Sequence, residues 1–125
     1  MNKQEQLDKI QDVIKDVKFA MMSTVNSEGD VHAWPMTTSE TSIGAKEIWF
    51  IGDKSSDVVK DIQNNPKIGL SYASKDEKNY VSVSANAELS TDQAKLDELW
   101  SPVYNAFFAH GKEDPNVQLI KVVPH

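Results

Sequence analysis

The chain contains no cysteine among its 125 residues, which excludes disulfide bonds, thiol catalysis and thiolate metal sites. No apolar run approaches the roughly 18–20 residues that a membrane-spanning helix needs. Positive charge is also scarce: 13 Lys and Arg residues against 19 Asp and Glu give a net charge of -6, which argues against binding to a nucleic-acid backbone. Charged residues throughout the first eighteen positions do not suit a secretory signal. The sequence therefore predicts a cytoplasmic protein with neither a membrane nor a nucleic-acid partner.

The composition that remains is that of an ordinary folded protein. Hydrophobic residues make up 39% of the chain and charged residues 26%, both close to the values of globular domains. A chain of 125 residues fits one domain with a modest core. We therefore expect a single domain over residues 1–125.

The first third of the chain predicts a helix followed by a β-hairpin. Apolar residues recur at helical spacing over residues 3–17, and charged residues occupy the remaining positions. Residues 19–25 and 31–38 have strand-like composition, and the turn between them contains Gly29, which tolerates a positive φ. Pro35 cannot donate a hydrogen bond within a sheet. The second strand is therefore predicted to lie at a sheet edge or to be bulged, with exposed backbone where a ligand could dock.

The rest of the chain alternates strands with short helices. The clearest strand pattern lies in residues 80–89, where apolar and polar side chains alternate. Ser90 and Gln93 fit a capping box that would open a late helix, which Pro102 interrupts. The other predicted elements are strands at 47–51, 67–74 and 117–123 and a helix that contains Val58 and Ile62. Together these patterns predict an α+β fold, a small antiparallel β-barrel with flanking helices.

Two common kinds of catalytic site find little support. The three histidines, His32, His110 and His125, have no short spacing that would suggest a metal site, and no G-x-S-x-G sequence marks a hydrolase. The acidic residues are spread over helix faces, where solvation explains them. We therefore predict neither a catalytic histidine nor a bound metal.

Two segments could bind a ligand, although each has a simpler interpretation. Trp100, Tyr104, Phe107 and Phe108 have helical spacing that suits a core or a dimer face, but one of them could instead cover a flat ring. Both interpretations hold if a ligand lies at a subunit interface. The segment from Gly52 to Ser56 leads from a strand into a helix; it could bind phosphate at the helix N-terminus. Taken alone, the segment favours an ordinary helix capped by a serine.

The order of these segments resembles the general stress protein branch of the pyridoxamine 5'-phosphate oxidase-like split barrels, which bind FMN. The resemblance covers nearly the whole chain. It rests on four motifs in the same order: AMMSTVNSEGDVHAWPMTT (20–38), IWFIGDKSSDVVKDIQNNPKIGLSYA (48–73), YVSVSANAELSTDQAKLDELW (80–100) and GKEDPNVQLIKVVP (111–124).

The resemblance implies a homodimer with FMN in a groove between the two chains. It also implies an oxidoreductase-like protein in which the flavin performs redox chemistry on an unidentified small-molecule substrate. The flavin ring would lie along the strand 34–38, and Ser56 would face the phosphate. Trp100 of the second chain would complete the groove. No side chain is predicted to act as an acid or base. The residues implied for cofactor binding are Trp34, Met36, Thr37, Ile51, Gly52, Asp53, Lys54, Ser55, Ser56 and Trp100.

The sequence departs from the family pattern at two positions. Trp34 stands where the family commonly has arginine, and Val58 stands where it commonly has lysine. Each missing cation would remove a phosphate contact worth about 1.5–3 kcal/mol, unless Lys54 compensates. The alternative prediction is therefore a flavin- or ligand-binding stress protein without turnover, whose phosphate site has drifted. A deazaflavin remains possible as the planar cofactor, while haem is disfavoured because no histidine is well placed as an axial ligand.

Overall fold

The structure, a computed structural model, describes residues 2–14, 19–38, 43–44, 46–73, 80–106 and 108–125. Its strands are β1 (Phe19–Val25), β2 (Val31–Thr37), β3 (Ile43–Gly44), β4 (Glu47–Asp53), β5 (Lys67–Ala73), β6 (Tyr80–Ser90) and β7 (Val117–Pro124). Its α-helices are α1 (Lys3–Ile14), α2 (Asp57–Asn64) and α3 (Gln93–Leu99), and short 3₁₀ turns span Pro102–Ala106 and Gly111–Glu113. The predicted end of the first helix, the turn at 75–79 and Phe107 lie outside the described residues.

All strand pairs in the described residues are antiparallel, and the sheet order is β2-β1-β5-β6-β7-β4-β3. Residues from β2, at one end of this order, and from β4, near the other end, line one cleft. The sheet therefore curls so that these two strands face each other. The predicted α+β split barrel with flanking helices is confirmed.

The sheet is held on one side by an apolar core that α1 and α2 cover. The alternation in β6 places Val81, Val83, Ala85 and Ala87 in this core, as the sequence predicts. A second apolar cluster lies beneath α3, where Leu96 and Leu99 pack with Trp49 and Leu119. Apolar burial on the scale of these two clusters is the main favourable term in folding.

The hairpin between β1 and β2 follows its local chemistry. Asn26 Oδ1 accepts hydrogen bonds from the backbone N–H groups of Glu28 and Asp30, each over 2.9 Å. Gly29 has a φ of 86°, a conformation that favours glycine. Pro35 lies in β2 opposite Met21 in an unbroken one-to-one register. Of the two predicted alternatives for the proline strand, the structure therefore shows the edge position without a bulge.

The predicted capping box at α3 was wrong. Ser90 remains in β6, where it pairs with Leu119, so the helix begins later than the sequence pattern indicated. Asp92 is the N-cap, and its carboxylate accepts a hydrogen bond from the backbone N–H of Lys95 over 3.1 Å. An aspartate makes this bond as well as a serine does, and the continuation of the β6–β7 ladder decides between them.

Candidate functional site

A cleft of about 330 Å³ opens between β2 and the end of β4. Its volume is near the lower end of the range of small-molecule sites. Three elements supply the described lining residues: β2, β4 and the segment after α3. These residues are Pro35, Met36, Thr37, Ile51, Gly52, Asp53, Tyr104 and Phe108. Five of the ten residues predicted for cofactor binding therefore meet in one place, although they come from two distant segments of the chain.

The two strands that form the cleft have different roles. β2 is an edge strand, and an edge strand presents unpaired backbone N–H and C=O groups. β4 pairs with β7 on one side, and Gly52 lies close against the core. A Cβ added to Gly52 would stand 3.3 Å from Ile120 Cδ1 and 3.7 Å from Val59 Cγ2. The glycine thus lets the floor of the cleft sit close to β7 and α2.

An aromatic wall closes one side of the cleft. Tyr104 and Phe108 line it, and Trp100 lies behind them with ring centroids 5.3 Å from Tyr104 and 6.0 Å from Phe108. Partial burial raises the pKa of the Tyr104 phenol, which keeps it a neutral hydrogen-bonding group. Tyr104 and Phe108 were missed as cleft residues, although their spacing after Trp100 had indicated an aromatic face. Trp100 lies beside this cleft in its own chain, and its contribution to a second chain remains a prediction.

The turn that follows β4 is organised by Asp53. One carboxylate oxygen of Asp53 accepts hydrogen bonds from the backbone N–H of Ser55 over 2.8 Å and from its hydroxyl over 2.6 Å. The Ser56 hydroxyl donates to the backbone carbonyl of Asp53 over 2.6 Å. Ser56 is the N-cap of α2 but makes no side-chain capping bond. The first N–H groups of α2 therefore lack the serine cap that the simpler interpretation predicted, and such groups are available to an anion.

Positive charge is scarce at this end of α2. Asp53 is the one charged side chain among the described residues that line the cleft, and Asp57 adds a second carboxylate in the first turn of α2. Lys54 lines a separate hollow that it shares with Ser90 and Gln118. Val58, at the position of the missing lysine, is buried in the core. The structure does not bring Lys54 to the cleft.

Trp34 lies on the half-buried face of β2, which it shares with Met36, while Pro35 and Thr37 lie on the exposed face. Its indole N–H donates to the hydroxyl of Thr24 over 2.9 Å, and its ring meets His32 edge-on at 5.3 Å between centroids. It also packs against the main core. The structure therefore places Trp34 next to the cleft segment but not among the residues that line the cleft.

The described residues include no group of three or more histidine and acidic side chains that could hold a metal ion. His32 contacts Asp61 through a ring nitrogen, and His125 contacts Asn86 in the same way. In the part of the chain that the structure describes, no helix is both long enough and apolar enough to cross a lipid bilayer.

Residues 5–125 match the family model described as "Pyridoxamine 5'-phosphate oxidase like". No curated protein sequence gives a significant match. Among solved structures, the general stress protein 26 from Bacillus anthracis str. Sterne is 24% identical, with a TM-score of 0.80 over 94% of this chain and 88% of its own. A protein assigned as general stress protein 26 from Jannaschia sp. CCS1 is 30% identical, with a TM-score of 0.78 over 97% of this chain and 74% of its own.

A third similar structure is described as that of a flavin-binding protein. The general stress FMN/FAD binding protein from Xanthomonas citri is 27% identical, with a TM-score of 0.79 over 97% of this chain and 84% of its own.

Proposed function

Because the chain belongs to the pyridoxamine 5'-phosphate oxidase-like family, we propose that residues 1–125 form one flavin-binding domain that holds FMN in the cleft between β2 and β4. The observation that carries this proposal is the cleft itself, in which an edge strand, the turn before α2 and an aromatic wall meet. The similarity to an FMN/FAD binding protein of Xanthomonas citri gives independent support.

The residues present suit the flavin ring. A planar ring system needs flat apolar surfaces and hydrogen bonds at its edge. Tyr104 and Phe108 supply aromatic surface, Met36 and Ile51 supply aliphatic surface, and the edge of β2 supplies backbone groups. The phosphate has a weaker site: the N-terminus of α2 offers N–H groups, while Asp53 opposes negative charge. We therefore propose that the ring supplies most of the FMN affinity and the helix N-terminus the remainder.

When bound, the flavin supplies hydride or electron transfer to a small molecule. The protein's part is to position the ring and to exclude water from one of its faces. Tyr104 and the backbone of β2 perform that part in this proposal, and no side chain is assigned as an acid or base. We propose that this activity takes place in the cytoplasm.

We propose a homodimer that closes the cleft. Phe19, Met21 and Tyr80 are large, exposed apolar side chains that line one shallow hollow on the outer side of β1, β5 and β6. Pro35 and Thr37 face outward on the neighbouring strand β2 and also line the cleft. A second copy seated on this face would bury the apolar side chains and lie against the open side of the cleft. Trp100 of that copy is the residue proposed to reach the ring.

The second candidate is a flavin-binding stress protein without turnover. Two observations favour it: the indole N–H of Trp34 is bonded to Thr24, and Val58 is buried, so neither position offers a cation to a phosphate. A protein that binds the flavin ring but binds the phosphate weakly could store or sense a flavin without performing a reaction on it.

Titration separates these candidates. The purified protein is titrated with FMN, riboflavin and FAD while visible absorbance and flavin fluorescence are recorded. We expect FMN to bind with a dissociation constant below about 50 μM and only a few-fold tighter than riboflavin. Failure of every flavin to bind in this range would refute the proposed function. If FMN binds, anaerobic reduction of the complex by NADH or NADPH identifies an oxidoreductase, and its absence with both donors identifies the non-catalytic binder.

A further inference from the structure

Asp61 is a buried carboxylate in the middle of α2, with 6% of the residue exposed. One of its oxygens accepts a hydrogen bond from the Thr24 hydroxyl over 2.7 Å and lies 3.1 Å from Nδ1 of His32. A buried carboxylate is costly unless donors satisfy it. Asp61 therefore requires both partners to stay in place, and both lie outside its own helix.

The two partners extend the contact to Trp34. The Thr24 hydroxyl that donates to Asp61 also accepts the indole N–H of Trp34 over 2.9 Å. His32, the other partner, meets the Trp34 ring edge-on at 5.3 Å between centroids. Asp61 thus holds two side chains on the same face of β2: it contacts His32 directly and Trp34 through the Thr24 hydroxyl. We call these four residues, Thr24, His32, Trp34 and Asp61, the Asp61 network.

The Asp61 network joins the two parts of the cleft. In β2, Trp34 is followed at once by Pro35, Met36 and Thr37, which line the cleft. In α2, Asp61 lies four residues after Asp57, where the helix begins just beyond the Asp53 turn. The edge strand and the helix N-terminus are therefore fixed relative to each other through a carboxylate that does not itself line the cleft.

We propose that Asp61 is a positioning residue for the cofactor: it sets the distance between β2, which contacts the ring, and the N-terminus of α2, which contacts the phosphate. This role rests on the proposed function. A ligand with both a ring and a phosphate gains from the correct distance, because both contacts form at once. A ligand with the ring alone gains much less. Asp61 thus contributes to the preference for FMN over riboflavin.

Asparagine is the informative substitution at this position. It has nearly the shape of aspartate but carries no charge. Its amide oxygen can take the position of the one carboxylate oxygen that contacts both Thr24 and His32, but it accepts weaker hydrogen bonds than a carboxylate oxygen does. Asp61→Asn therefore weakens the connection between α2 and β2 without removing side-chain volume from the core.

The first measurement uses the flavin-free protein. Hydrogen–deuterium exchange is followed by mass spectrometry in Asp61→Asn and in Val13→Ala, which removes buried volume from α1, with the temperature chosen so that both variants lie equally far below their unfolding midpoints. We expect exchange in residues 31–37 and 57–64 to rise about ten-fold in Asp61→Asn, and much less in Val13→Ala. Unchanged exchange in these segments, or an equal rise in both variants, would overturn the proposal.

The second measurement compares ligands. The ratio of the riboflavin to the FMN dissociation constant should fall at least three-fold in Asp61→Asn and stay constant in Val13→Ala; a constant ratio in both would remove the role in cofactor preference. If the wild-type protein binds no flavin, the proposed function fails, while the exchange data still decide whether Asp61 joins β2 to α2. Should Asp61→Asn not fold, Thr24→Val removes the hydroxyl that joins Asp61 to Trp34 at nearly constant side-chain volume, and increased exchange in residues 31–37 is then the required result.

Discussion

The ring centroids of Trp100 and Tyr104 lie 5.3 Å apart, with the ring planes tilted by 38°. Tyr104 and Phe108 line the cleft, and Trp100 packs behind both rings. Aromatic side chains held in this way lose little freedom when a flat ligand binds, because neighbouring rings already restrict them. The pair therefore gives the cleft a wall of restricted aromatic side chains, which suits the planar ring of the proposed flavin.

Replacing Tyr104 by alanine should weaken flavin binding about ten-fold, since stacking against an aromatic side chain is worth about 0.5–1.5 kcal/mol beyond the area that it buries. Flavin fluorescence should also be quenched less in the complex. Tyr104→Phe is the control, because it keeps the ring and removes only the hydroxyl. The two variants are compared by fluorescence titration, and wild-type affinity in the alanine variant would exclude Tyr104 from the ring site.

Replacing Asp53 by asparagine should strengthen FMN binding relative to riboflavin by roughly three- to ten-fold, because it removes a charge near the proposed phosphate position. The asparagine oxygen can still accept the bond from the Ser55 N–H that shapes the turn. Lys54→Ala removes the neighbouring positive charge, but Lys54 lines a different hollow. We therefore expect this substitution to change the ratio of the riboflavin to the FMN dissociation constant less than two-fold. If Lys54→Ala lowers the ratio and Asp53→Asn does not raise it, the phosphate lies on the Lys54 side.

The outer apolar face can be tested with Met21→Glu. Met21 is 41% exposed on β1, so the substitution should leave the isolated chain folded. A charge buried in a dimer interface costs several kcal/mol. We expect the wild-type protein to sediment as a dimer at micromolar concentration and Met21→Glu as a monomer with weakened flavin binding. Gln63→Glu, on the exposed side of α2, adds the same charge elsewhere and should remain dimeric. A monomeric wild-type protein would refute the shared cleft.

Tyr72→Phe should lower the free energy of unfolding by about 1–2 kcal/mol, because it removes the partner of a buried hydroxyl. The hydroxyl groups of Tyr72 and Thr38 lie 3.0 Å apart, and both residues are buried. Burial raises the pKa of the Tyr72 phenol to about 12, partly opposed by the bond to Thr38. The folded state therefore holds this proton more tightly than the unfolded state, and stability present below pH 10 declines between about pH 10 and 12. Urea denaturation should show that decline in the wild-type protein and a smaller one in Tyr72→Phe.

Asp114 should contribute to acid sensitivity. Backbone N–H groups of Asn116 and His110 donate to its carboxylate and hold its pKa below the usual value. Since the folded-state pKa is lowered, this stabilisation is present above the ordinary aspartate pKa of about 3.9 and disappears as pH falls through the folded-state pKa. Asp114→Asn should flatten the dependence of the unfolding free energy on pH below about pH 5. An unchanged slope would mean that other carboxylates govern the acid transition.

Much of the fold follows from local patterns in the sequence. The alternation in β6 and the turn at Gly29 were predicted correctly because each depends on neighbouring residues. The start of α3 was not, because the choice between Ser90 and Asp92 depends on how far β6 pairs with β7. Ser90 pairs with Leu119, which is distant in the chain. The residues around Ser90 therefore do not indicate where β6 ends.

The residues of the candidate site were likewise predicted only in part. Met36, Thr37, Ile51, Gly52 and Asp53 were named from the family resemblance, and the curl of the sheet brings them together. The positions of Trp34, which bonds to Thr24, and of Lys54, which lines a separate hollow, depend on tertiary contacts that the resemblance did not indicate. Tyr104 and Phe108 reach the cleft because the chain after α3 forms a 3₁₀ turn instead of continuing the α-helix. Their helical spacing therefore could not predict this position. Asp61 gave no signal, because an aspartate on an amphipathic helix ordinarily faces water.

The open edge of β2 also bears on the behaviour of the protein in concentrated solution. An unpaired strand edge can recruit a strand from another molecule and begin aggregation. Pro35 interrupts the row of donors on this edge, which is one of the ways in which natural sheets resist such growth. A ligand or a second subunit seated beside β2 would cover the remaining backbone groups. Loss of the ligand would uncover this edge, so we expect the ligand-free protein to precipitate at a lower concentration than the complex.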